Sequence, residues 1–341
     1  MPLVSEARYR VRVLSSYIIS DDDLAYAHMG RRNRWVNGFV SSLVRNRSGL
    51  REFDLQFHRT PADRAGVEAL VEQWRREGVD LAICPGTDSA LRLAEANDGL
   101  PMIYFGAHPE NNGLELLDRE EIVGVRLNLP LIWSHADNFA LLRQIMPRLK
   151  RLYFALNMAS EFAFPNVRVV YRTFRASGTG FWIPGDHPCL GYRSVAFLAE
   201  REGLQYYEGP YNHADELVAG LEQADLEDAA LVGFNDTVLN QAATDRLLEF
   251  SDRRGVPLVW VNNPSVIERY GVADFSSDFE GVGRIVGTLA LSILRDGISP
   301  GQLGLQADPG VRRTLNLARA QALGFGPYPE DLLARFHTVV R

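Results

Sequence analysis

Carboxylates, amides and hydroxyls in this chain gather at the ends of short apolar runs, where a turning backbone lets side chains meet a solute. After Val11-Arg-Val-Leu14 stand Ser15, Ser16, Tyr17, Ile18 and Ile19, then Asp21-Asp22-Asp23. The run Asp80-Leu-Ala-Ile-Cys84 ends in Pro85-Gly86-Thr87-Asp88-Ser89, and Met102-Ile-Tyr-Phe105 ends in Gly106-Ala107-His108-Pro109. Asn157 and Met158, then Phe234-Asn235-Asp236-Thr237, then Asn262 and Asn263 follow three further apolar runs, and Asp278 precedes an apolar helical pattern. An aspartate suits an ammonium or an N–H-rich group, and a helix N-terminus suits a carboxylate. Tyr17, Phe105 and Phe234 offer ring faces to a planar body. Such a set recognises a small zwitterion or an amide-bearing ring rather than transforming it.

Each residue also has a plainer reading. Thr87, Asp88, Ser89 and Asp278 are ordinary helix N-caps. His108 reads equally as a solvated loop histidine, and Trp133 as core or hinge packing. Signatures of enzyme chemistry are missing: there is no G-x-S-x-G elbow, P-loop, H-E-x-x-H or C-x-x-C. Cys84 at a strand end before a helix could carry a lowered pKa and act as a nucleophile, but a strand-end cysteine is more often buried. His187 and Cys189 stand two apart without a second ligand pair, so no metal site is expected. No cofactor is expected either.

The apolar runs alternate with longer helical patterns, which predicts a parallel sheet with crossover helices. Strands are expected at 11–14, 53–57, 80–84, 102–105 and 123–125, with helices at 34–44, 63–78 and 89–97, the second closed by a C-capping glycine at Gly78. That is one α/β lobe by about residue 130. A second follows, with strands at 151–156, 204–207, 229–232 and 257–261 and helices at 136–146, 194–203, 213–223 and 237–254. Between Phe162 and Gly191 the rhythm breaks into glycine, proline and aromatic residues, which reads as an irregular insertion.

The chain has 341 residues, 46% hydrophobic and 23% charged, the balance of a globular protein with room for two cores. A net charge of −7 argues against nucleic acid as a partner. Positive charge is almost all arginine, Lys150 being the sole lysine, and the two cysteines make no disulfide framework. No run approaches the ~18 apolar residues of a membrane span. Met1–Arg10 shows neither the apolar core of a secretory leader nor a lipid-anchor cysteine. The sequence therefore leaves open a leader already removed, an internal protein or a detached sensor domain.

The C-terminal third carries the strongest likeness to a known group. Gly255-Val-Pro-Leu-Val-Trp-Val261 is followed by Asp278-Phe-Glu-Gly-Val-Gly-Arg284, then by Thr314-Leu-Asn-Leu-Ala-Arg-Ala-Gln-Ala-Leu-Gly-Phe325 and Pro329-Glu-Asp-Leu-Leu-Ala-Arg335. That order resembles the tryptophan/tyrosine-type ABC transporter substrate-binding proteins, with their "IPVF" strand, "YGVDYYELGRQ" helix, "INLKAAKALGL" segment and "P-x-x-LLARAD" tail. Gly86 to Ser89 correspond to the family's "GTPAA", Phe105 to His108 to "FAAVTDPV", Asn157 to "YNP", Phe234 to Asp236 to "PTDNT" and Asp278 to the acid of "YGVD".

The resemblance implies the type I periplasmic-binding fold, two Rossmann-like lobes joined by three hinge crossings near 127–133, 263–273 and 298–308. The first lobe would hold residues 1–130 and 268–298, the second 131–267 and 299–341. It implies a solute-binding protein that closes on a small polar or aromatic metabolite, amino-acid-like or heterocyclic. An ABC permease would be its partner, and its place extracytoplasmic. Ligand contacts would come from Tyr17, Ile18, Gly86, Thr87, Asp88, Ser89, Gly106, Ala107, His108, Asn157, Phe234, Asn235, Asp236, Asn262 and Asp278. The alternatives are a ligand-sensing regulatory module of the same fold, or an enzyme using Cys84.

Overall fold

A computed structural model describes residues 8–15, 34–46, 50–106, 117–126, 136–158, 165–178, 180–234, 241–261, 267, 270–307 and 309–341. Its first elements are β1 (Tyr9–Ser15), α1 (Arg34–Arg45), β2 (Phe53–Arg59), α2 (Arg64–Glu77), β3 (Leu81–Pro85), α3 (Thr87–Ala96), β4 (Met102–Phe105) and β5 (Ile122–Val125). Then come α4 (Ala136–Ile145), β6 (Arg151–Asn157), α5 (Pro165–Ala176), β7 (Ile183–Pro184), α6 (Arg193–Arg201), β8 (Gln205–Tyr211), α7 (Ala214–Glu222) and β9 (Ala229–Phe234). The remainder holds α8 (Gln241–Arg254), β10 (Leu258–Val261), β11 (Ala273–Ser277), α9 (Phe279–Leu294), β12 (Val311–Asn316) and β13 (Thr338–Val340), with short helical turns between.

The chain divides into two compact units, residues 1–128 with 278–310 and residues 129–277 with 311–341. The return to the first unit thus falls at Asp278 rather than near residue 268. The reason is β11, which pairs with β10 on one side and β12 on the other and so belongs to the second sheet. Residues 299–310 also stay with the first unit, because Gly301 N–H bonds Glu120 O at 2.7 Å and Arg126 N–H bonds Gln306 O at 2.9 Å.

The first unit has a five-stranded sheet in the order β2-β1-β3-β4-β5, parallel throughout. Alternation of side chains along each strand feeds two cores. Val11, Val13, Leu81, Ile83, Ile103 and Phe105 face Trp35 and Phe39 of α1 and Val282 and Val286 of α9. Leu14, Ala82, Cys84, Met102 and Tyr104 face Val67 and Trp74 of α2 and Leu93 of α3. Helices α1 and α9 touch backbone to backbone: a Cβ added at Gly283 would lie 1.8 Å from Trp35 O, and one at Gly38 would lie 1.9 Å from Glu280 O. Helix α2 ends as predicted on Gly78, at φ 69°.

The second unit has an eight-stranded sheet in the order β13-β12-β11-β10-β9-β6-β8-β7. It is parallel except for the β11/β12 and β7/β8 pairs. Leu152, Phe154, Tyr206, Ala230 and Val232 pack on α4, α5 and α6, while Tyr153, Leu231 and Leu258 pack on α7 and α8.

Two sequence expectations change here. The stretch expected to be irregular contains α5, opened by Pro165 at its first position, where proline's fixed φ fits a helix start. Its Tyr171 and Phe174, one turn apart, are both buried. Strand β11, expected within the first lobe, alternates Ala273 and Phe275 with Asp274 and Ser276, and every residue of Ala273-Asp-Phe-Ser-Ser277 is buried in the second sheet. Ser276 donates its hydroxyl to the Asp274 carboxylate, so these two polar side chains pair with each other in the sheet interior.

Candidate functional site

In open α/β sheets solutes are met beyond the carboxyl ends of the strands. In the first unit β3 runs to Pro85 and turns at Gly86, whose φ of 92° is left-handed territory that glycine enters freely. The Gly86 N–H bonds Phe105 O at 2.8 Å, which fastens the turn to the end of β4. Helix α3 starts at once with Thr87, so Gly86 holds the N-cap position and no side chain caps it. Thr87, Asp88 and Ser89 are therefore first-turn residues, not the caps that their types suggested. Their N–H groups are among those a helix start leaves without an intrahelical acceptor.

Their side chains go to different places. Thr87 Oγ1 reaches Gly106 O at 3.5 Å. Asp88 pairs with Arg92 one turn on at 2.7 Å, and the same guanidinium donates to Pro61 O at 3.2 Å and Ala62 O at 2.6 Å. Arg92 thereby ties the loop after β2 to the start of α3. Ser89 is fully buried and its hydroxyl donates to Pro85 O at 2.6 Å. That makes the Ser89 hydroxyl an internal fastening of the turn.

Asp278 opens α9. Its N–H bonds Gly310 O at 2.9 Å and its carbonyl accepts the Val282 N–H at 2.8 Å. It occupies the N-cap position, but its carboxylate makes no capping bond. Instead Oδ2 pairs with Arg284 at 3.2 Å, and Arg284 also pairs with Glu280 at 3.0 Å. Asp278 is thus a carboxylate with a local cation, 16% exposed, at the start of a long apolar helix.

In the second unit Asn157 is buried at the end of β6, in register with Tyr211 of β8. The next N–H, of Met158, bonds Tyr211 O at 2.8 Å. Phe234 ends β9 in register with Val261 at the end of β10. Gly106 is buried at the end of β4. Tyr17, Ile18, Ala107, His108, Asn235, Asp236 and Asn262 lie outside the described residues, as does Trp133.

Within the first unit the fold brings Gly86, Thr87, Asp88 and Gly106 together through the bonds just given, and it supplies two arginines that the sequence reading missed. Arg92 was legible, since an acid and an arginine four apart on a helix face each other. Arg284 has the same spacing to Glu280, but its pairing with Asp278, six residues away, had no such local signal. Cys84, by contrast, sits wholly inside the core between β3 and α2, where burial pushes its thiol far above the ordinary range. Its burial is the outcome the sequence favoured for a strand-end cysteine. The Cys189 N–H donates to His187 Nδ1 at 3.1 Å, which makes His187 a turn acceptor. Among the described residues no group of three or more His, Cys, Asp or Glu could hold a metal ion, and no helix is long and apolar enough to cross a membrane.

Neither a protein-family model nor a curated protein matches the sequence. Solved structures do match over almost the whole chain. A conserved domain protein from Vibrio cholerae is 16% identical with a TM-score of 0.66, covering 97% of this chain and 99% of its own. An ABC domain in complex with L-Trp from Streptococcus pneumonia is 17% identical with a TM-score of 0.63, covering 97% and 100%. A ligand-free, open substrate-binding protein with adhesive properties from Clostridium difficile is 15% identical with a TM-score of 0.63, covering 97% and 99%. At such identities the likeness shows the fold, and that fold is the type I periplasmic-binding one expected from the sequence.

Proposed function

We propose that this chain is a solute-binding protein of the tryptophan/tyrosine type, which captures a small amino-acid-like or heterocyclic metabolite for an ABC importer and works outside the cytoplasm. One observation carries most weight: two helix starts of the first unit, Gly86–Asp88 and Asp278, each combine backbone amides with a carboxylate held by its own arginine. A zwitterion needs both kinds of partner, amides for its carboxylate and an acid for its ammonium. The fold shared with an L-Trp-bound ABC domain supports the same ligand class. As the sequence resemblance implies, Asn157, Phe234, Asn235, Asp236 and Asn262 would contribute ligand contacts from the second unit, and Tyr17, Ile18, Ala107 and His108 would complete those of the first. The residues of this set serve recognition, and the reading assigns none to catalysis.

Native mass spectrometry of protein purified without refolding tests the proposal, with a bound small molecule as the expected result. A thermal-shift screen then ranks aromatic amino acids and heterocycles against sugars and inorganic anions. Ligand ~100-fold above its dissociation constant stabilises by about 2.7 kcal/mol, a shift of several degrees. Protein that carries no adduct and responds to none of these compounds would end the solute-binding reading. A response to sugars or anions alone would end the ligand class and leave capture standing.

A further inference from the structure

The outer edge of the second unit's sheet carries a device that solute capture does not use. Strand β8 has seven residues, and among the described residues the sheet ends beyond it with the two of β7, Ile183 opposite Glu208 and Pro184 opposite Tyr207. An open edge strand is a template for another chain, and proteins blunt such edges with short strands, prolines and covering loops. Pro184 has no N–H to offer outward.

Residues 180–192 are fastened at both ends. Near the start, Trp182 Nε1 donates to Gly220 O at 2.8 Å. Near the end, the amides of Gly191 and Tyr192 donate to the Glu208 carboxylate at 3.0 and 2.8 Å. Glu208 is fully buried and also accepts the hydroxyls of Tyr206, at 2.9 Å, and Tyr171. Such a carboxylate is held from several directions and cannot swing away without leaving donors stranded.

The underlying elements are shaped for this segment. A Cβ added at Gly209 of β8 would lie 2.4 Å from the Trp182 ring and 2.5 Å from Phe181, and one at Gly220 of α7 would lie 2.3 Å from Phe181. Glycine weakens a strand interior unless something must approach closely, and here two aromatic rings do. Beyond the two paired residues, the Arg175 guanidinium donates to Pro210 O and lies over the Phe181 ring at 5.3 Å.

We propose that residues 180–192 are a clasp that closes the β8 edge against strand pairing with a second copy of this chain. Glu208 is its fastening, and Phe181 and Trp182 are its wedge. A second copy is the relevant intruder because each copy carries the same edge, complementary to itself in strand pairing.

The test uses the full chain with Phe181→Ala and Trp182→Ala together, and separately with Glu208→Ala, so that the two ends are released independently. Hydrogen–deuterium exchange over peptides covering β8 reads whether the clasp is open, and light scattering across a dilution series reads self-association. The expected result is exchange about tenfold faster or more over β8, the scale of losing a structural hydrogen bond. Dimers or larger species should appear with rising concentration, where the parent protein stays unchanged. Faster exchange with unchanged association would overturn the guarding role; unchanged exchange in both variants would overturn the fastening. Should far-UV circular dichroism report unfolding of either variant, Trp182→Phe, which removes the indole N–H bond and trims the ring facing Gly209 while keeping an aromatic group, decides by the same two readouts.

Discussion

Gly283→Ala asks whether the α1–α9 contact is made by backbone. The added Cβ would stand 1.8 Å from Trp35 O, whereas a carbon and a carbonyl oxygen in contact keep about 3.3 Å. The helices must therefore part by roughly 1.5 Å, carrying Trp35 and Phe39 away from the strands they cover. Overpacking of a tight core costs about 1–3 kcal/mol, and the upper end applies because the obstacle is backbone, not a side chain that can swing aside. Against this, alanine gains about 1 kcal/mol over glycine in a helix interior. The net expectation is a loss of about 2 kcal/mol, or roughly 4–8 °C in the melting transition of the first unit at ~2–4 °C per kcal/mol. Calorimetry checks it, with Val44→Ala, at a 64% exposed position of α1, as a control expected to move stability by no more than about 0.5 kcal/mol. The sign decides. A rise in melting temperature is what helix propensity alone demands, and it would refute backbone contact at this crossing.

Three other outcomes are expected. Asp278→Ala should weaken binding of the co-purified ligand by about 2–4 kcal/mol, the scale of truncating one partner of a buried charged pair; unchanged affinity by calorimetry would leave Asp278 as a partner of Arg284 only. Burial raises the Glu208 carboxyl above its ordinary 4.5, despite the donors around it. The unfolded chain therefore binds fewer protons than the folded one between those two values, and the Glu208 contribution to stability falls as pH rises through that window. Melting curves of Glu208→Gln minus the parent should climb as pH rises from 4.5, and a flat or falling difference would contradict this. Cys84 should resist alkylation of the native protein at neutral pH, because its thiol is buried and held protonated; rapid modification would reopen an enzymatic reading.

The parts of this fold legible in the sequence were those whose signal is local. Short apolar runs in Val11–Leu14 and Leu81–Cys84, helical spacing of Val67, Val71 and Trp74, and the glycine at residue 78 each follow from neighbours a few residues away. Their order implied two parallel-sheet lobes, and the strand ends supplied the candidate residues. What the sequence left undecided depended on distant partners. Strand β11 is small and polar, and only its place between β10 and β12 buries Asp274 and Ser276. It also moves the return to the first unit to Asp278. Whether Ser89 faces a ligand or Pro85 O, and whether Asp278 caps α9 or pairs with Arg284, turned on atoms brought together by folding. Residue type names the bonds a side chain is able to make, while the tertiary structure selects among them, because burial decides which polar groups must find a partner and which partner is within reach.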